Sequence, residues 1–181
     1  MNKGLAKKID EMTQRDQDMR LRVQKGGEWD YSIDRLNTEE LKNIINKYGW
    51  PTINLVGKKA SNNAWLIAQH ADHDREFQKE VLDILIKIDK EEPGSVSKSN
   101  IAYLTDRILV AEGKEQEFGT QFHVEKGSLS LRPTREIKNV NQRRAEYGLD
   151  AIERYIEDAK KHVPPQTNFQ KDQRRRLKQS P

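Results

Sequence analysis

Cysteine is absent from the 181 residues. Disulfides, thiol nucleophiles and thiolate metal sites are therefore excluded. Apolar residues are scarce at 34%, against 34% charged, which suits a well-solvated surface around a compact core. No apolar run approaches the roughly 18–20 residues a membrane span needs. The opening MNKGLAKKIDEM has no apolar stretch of the secretory kind, so a cytoplasmic location without membrane contact is the expectation. Several signatures are missing too: a P-loop, a dinucleotide fingerprint, a G-x-S-x-G elbow and an HExxH zinc motif.

The excess of positive charge is confined to one end. Residues 164–181 hold five Lys or Arg and one Asp, and taking these from the chain's 33 basic and 29 acidic residues leaves 28 of each in residues 1–163. The rest of the chain is formally neutral. Nucleic-acid binding, if it occurs, is expected through this tail and its Arg174, Arg175 and Arg176. Residues 1–163 are read as a helical domain and 164–181 as a disordered basic tail.

Hydrophobic periodicity supplies the elements. Leu5, Ile9, Met12, Met19 and Val23 form one stripe of a helix over 3–25, with Asp16 filling the gap in it. A carboxylate on such a face is costly unless paired. Either the helix end is solvated or Asp16 reaches into a shared polar site; the nearby Arg15 and Arg20 are not expected to neutralise it. Gly26-Gly27 breaks the helix, and WDYSIDRL reads as an irregular turn. A short helix then starts at Asn37 or Thr38 and is closed by Gly49.

Trp50-Pro51 leads into a helix with Ala60, Ala64, Ile67, Ala68 and Ala71 inward, then one with Phe77, Val81, Ile84, Leu85 and Ile88 on one face. Asn100–Glu112 is a further helix. Phe118–Val124 and Leu129–Pro133 read as a hairpin around a Glu-Lys-Gly-Ser turn, and helices over 135–148 and Asp150–His162 complete the chain. The expected fold is mainly α, a single compact helical domain of six to seven helices with one small β-hairpin near 118–133.

The densest polar cluster is Gln69, His70, Asp72, His73 and Asp74, at the end of the Ala60 helix. His70 with His73 or Asp74 has the i,i+3 and i,i+4 spacing of metal ligands, for which Asp16, Asp106 or His123 could supply a third. Without a metal signature, a site with neither metal nor cofactor is preferred. His70 is then the acid–base candidate, since imidazole exchanges protons near neutrality. Asp72 or Asp106 would orient it. Gln69 and Gln121 would position a ligand, Arg107 with Arg143 or Arg144 would clamp an anion, and Asp16 would join the pocket. The expected function is a metal-independent hydrolase or lyase on a small anionic substrate. The alternatives are a non-catalytic ligand- or partner-binding module, or a nucleic-acid-associated protein.

YGWPTINLVG, NAWLIAQHAD followed by Phe77-Gln78, NIAYLTDR, GTQF and NVNQRRAEYGL occur in that order. From about Arg15 to Tyr155 the chain resembles a family of small bacterial domains of unknown function. The resemblance implies a mainly helical fold and favours Gln69, His70, Asp106, Arg107, Gln121, Arg143 and Arg144 as site residues. It implies no mechanism.

Overall fold

The computed structural model describes residues 1–125 and 128–161. The tail with Arg174, Arg175 and Arg176, the end of the last expected helix and the centre of the expected hairpin turn lie outside the described residues. Eight α-helices and one antiparallel hairpin follow in chain order. They are α1 (Lys3–Gln24), α2 (Tyr31–Tyr48), α3 (Ile53–Val56), α4 (Lys58–His70), α5 (Arg75–Glu91), α6 (Lys98–Ala111), β1 (Phe122–Glu125), β2 (Ser128–Leu131), α7 (Val140–Glu146) and α8 (Ile152–Lys161). A 3-10 turn over Ile137–Asn139 precedes α7. The mainly α fold with a small hairpin is thus observed, and α3 is the helix added to the expected set.

Helix α4 is the central strut, packing against α1, α2, α3, α5 and α6. Its buried residues are Ala60, Ser61, Ala64, Ile67 and Ala68. All but Ile67 are small, which allows neighbouring helices close approach. Trp65 seals one flank by donating its indole N–H to Asn100 O at 2.9 Å. The helix ends at His70 because Gln78 of α5 takes over its last carbonyls, donating to Ala68 O at 3.3 Å and Gln69 O at 3.1 Å. Asp74 then caps α5 through Phe77 N at 3.1 Å. His70 is therefore held at a fixed helix terminus.

Two elements depart from expectation. WDYSIDRL is helical from Tyr31, because Asp30 caps α2 by accepting from Ser32 N at 3.0 Å and Ser32 Oγ at 2.6 Å. The start at Asn37 or Thr38 is thereby corrected. Both are buried mid-helix, and Asn37 Nδ2 donates to Met12 O at 3.1 Å. The first hairpin strand also begins later than expected, at Phe122, paired with Leu131. Residues 117–120 form a loop whose N–H groups bond a buried carboxylate instead of a strand. No helix among the described residues is long and apolar enough to cross a membrane.

Candidate functional site

Asp16 continues the stripe of α1 and is 1% exposed. A bare carboxylate there would be prohibitively costly, and three side chains satisfy it. Arg20, one helical turn on, donates Nε to both oxygens at 3.1 Å. Gln17 Nε2 donates to Oδ2 at 2.7 Å. His70 Nδ1 from α4 lies 2.9 Å from Oδ1 and 3.1 Å from Oδ2. Burial opposes ionisation of this carboxyl, but the hydrogen bonds and charges of His70 and Arg20 outweigh it and bring its pKa down to about 2. The expectation that Arg20 does not neutralise Asp16 is corrected, because four residues is the favoured helical spacing for such a pair.

The same guanidinium reaches a second carboxylate. Arg20 Nη2 is 3.1 Å from Asp34 Oδ1 on α2, and its central carbon lies 4.8 Å from the centre of the Trp29 ring. Burial pushes the Asp34 carboxyl above its usual range and the charge of Asp16 adds to this, whereas Arg20, His70 and a Trp29 hydrogen bond act the other way. Two carboxylates held by one arginine are thus displaced in opposite directions, an arrangement that separates acid from base roles in active sites.

His70 is half-buried, with its side chain 16% exposed, whereas Asp16 is sealed. An ionised carboxylate can only accept, so Nδ1 must carry the proton it shares with Asp16. In the neutral ring Nε2 is then an unprotonated acceptor, and it has no hydrogen-bond partner among the described residues. An oriented imidazole with one free nitrogen has the geometry of a general base.

The remaining expected site residues form other groups. Asp72 binds Arg107 in a two-pronged pair (2.8 and 2.6 Å), whereas the hydrogen bond to His70 Nδ1, the place of an orienting group, is made by Asp16. Asp106 is fully buried and accepts from Glu117 N at 2.7 Å, Phe118 N at 3.0 Å, Thr120 N at 2.8 Å and Thr120 Oγ1 at 2.9 Å. Asp106, expected beside His70, instead anchors a loop whose N–H and O–H groups engage both its oxygens.

Arg144, 1% exposed, donates Nε to Asp150 O at 2.6 Å and Nη1 to Phe118 O at 2.5 Å. Arg143 donates Nε to Glu117 O at 2.9 Å and Nη2 to Arg135 O. Both guanidinium groups tie loops together through main-chain carbonyls, where the sequence reading placed an anion clamp. Gln121 belongs to the same region, donating its backbone N–H to Gln116 Oε1 at 2.9 Å and Nε2 to Thr120 Oγ1 at 3.0 Å. Gln69 follows the other group; its Oε1 is buried without a partner among the described residues. No hydrogen bond or ion pair among the described residues joins the Asp16–His70 cluster to the Asp106–Arg144 one.

The metal-ligand spacings do not converge either. Asp74 caps α5, and His123 is exposed on the hairpin 3.6 Å from Glu125. Among the described residues no three His, Asp or Glu come together in a set that could hold a metal ion.

A family model matches residues 4–162, from the first turn of α1 to just past the end of α8. The chain belongs to DUF6624, a family of unknown function. The match encloses both polar clusters, and it extends beyond the stretch over which the motifs carry the resemblance. No curated protein and no solved structure matches the chain.

Proposed function

We propose that the protein is an acid–base enzyme, a metal-independent hydrolase or lyase of a small anionic substrate, with His70 as the catalytic base and Asp16 as its orienting carboxylate. One observation carries this reading: Asp16 engages Nδ1 and leaves Nε2 unpartnered at a half-buried helix end. Nε2 takes a proton from water or from the substrate, and Asp16 stabilises the imidazolium that results. Arg20 helps keep Asp16 ionised, so the proton remains on the ring and is returned to the leaving group.

The anionic group of the substrate is assigned to Arg107. Its partner Asp72 is 64% exposed and interacts electrostatically with His70. An exposed pair of this kind contributes little to stability, so an incoming anion can exchange with Asp72. Binding without turnover is the second reading, favoured by the way Asp16, Arg20, Asp34 and His70 tie three helices together.

Purified protein is assayed on p-nitrophenyl acetate, p-nitrophenyl phosphate and small carboxylic and phosphoric esters. Turnover is expected, and H70Q should reduce it about 10²–10⁴-fold in protein that circular dichroism shows to be folded. Equal turnover by wild type and H70Q, zero included, contradicts the enzyme reading.

A further inference from the structure

The base does not act with Asp16 alone. Asp34, Arg20, Asp16 and His70 form an unbroken chain across α2, α1 and α4. Asp34 Oδ1 lies 3.1 Å from Arg20 Nη2, Arg20 Nε 3.1 Å from both Asp16 oxygens, and Asp16 Oδ1 2.9 Å from His70 Nδ1. The order of charge is minus, plus, minus, imidazole. Arg20 Nη2 lies 3.1 Å from both Asp16 Oδ1 and Asp34 Oδ1, so the two carboxylates share one end of a rigid, planar charge.

From this geometry we infer that Asp34 is a positioning residue for His70: by drawing on the shared Arg20, it sets how strongly Asp16 holds the Nδ1 proton and hence how basic Nε2 is. The inference rests on the assignment of His70 as the base. Its physical content is a sign. An ionised Asp34 takes part of Arg20 away from Asp16, leaving more negative charge facing the imidazole and favouring the imidazolium. A neutral group at position 34 releases the guanidinium to Asp16, screens that carboxylate and makes the ring a weaker base.

The neighbourhood is small enough to specify. Asp16 and Arg20 face His70 from α1, Asp34 from α2, and Asp72 from the turn after α4, with its charge offset by Arg107 of α6. Gln78 of α5 packs against the same turn and is uncharged. Asp34 itself faces Arg20, Asp16, His70 and the Trp29 indole. Its side chain is 11% exposed. Solvent protons can reach it, whereas Asp16 is sealed.

The test is an NMR titration of the His70 ring in wild type, D34N and R20Q, each checked for native unfolding behaviour. D34N preserves shape and removes one charge. The pH at which the ring protonates should fall in D34N by roughly half to one pH unit, the effect of a single charge several ångströms away in a partly solvated protein. R20Q should move it upward. Opposite displacements are not what a purely structural role would give. An unchanged His70 titration in D34N, or displacement of both variants in the same direction, overturns the inference. Should R20Q fail to fold, the D34N titration decides alone. The base assignment is judged separately in the same spectra by which ring nitrogen carries the proton, so the two failures are distinguishable.

Discussion

Two buried aspartates, Asp16 on α1 and Asp106 on α6, have opposite fates. Asp106 faces a loop, and its oxygens accept N–H groups of Glu117, Phe118 and Thr120 together with the Thr120 hydroxyl. Asp16 faces side chains, the guanidinium of Arg20 and the imidazole of His70 with the amide of Gln17. Around Asp106 and Arg144 the polar atoms meet mostly main chain. Around Asp16 the chain of contacts ends on an imidazole nitrogen that solvent can reach. Composition alone does not separate the two clusters. The atoms that remain unengaged do.

The most severe way to break the first cluster is D106A. It strands three N–H groups and the charge-bearing loop they belong to, and urea unfolding should reveal a loss of about 3–5 kcal/mol. R144M comes next, at about 2–3 kcal/mol, because Phe118 O and Asp150 O lose a charged donor. G119A should cost about 1–3 kcal/mol, since Gly119 has φ +68° and a Cβ there would sit 2.8 Å from Ile152 Cδ1. None of the three removes a group from the Asp16–His70 cluster. Any variant that still folds should therefore leave the His70 titration where it is.

The second cluster should respond to pH. With its folded pKa at about 2 against an ordinary 3.8, Asp16 binds protons less readily when folded. Its contribution, about 2 kcal/mol, is fully present above pH ~4 and is lost as pH falls toward ~2. D16N should abolish that part of the acid dependence in a series of unfolding curves. By contrast, E117Q at the exposed Arg135 pair should alter stability by less than about 1 kcal/mol, the smallest effect expected.

Much of this was legible in the residues. The stripe of α1 marked Asp16 as a carboxylate on a core face, and the position of His70 three residues after Ile67 marked it as facing inward. What joined them was not legible. Their contact spans 54 positions, and periodicity carries no information on which helices meet. Asp34 was lost for a local reason: the Asp30–Ser32 cap lies in a stretch that reads as a turn, and without the first turns of α2 Asp34 has no face. Arg20 could have been found, since four residues on a helix is the spacing that pairs it with Asp16. Asp106 and Arg144 were recognised as polar groups on apolar faces, but a loop returning its main chain to them leaves no trace in side-chain periodicity.

The central claim concerns one proton. ¹⁵N spectra of the His70 ring, recorded above the pH at which it titrates, report which nitrogen holds it. The account predicts the Nδ1–H form, with Nε2 unprotonated, and a loss of that preference in D16N. A neutral ring protonated at Nε2 in the wild-type protein would contradict it.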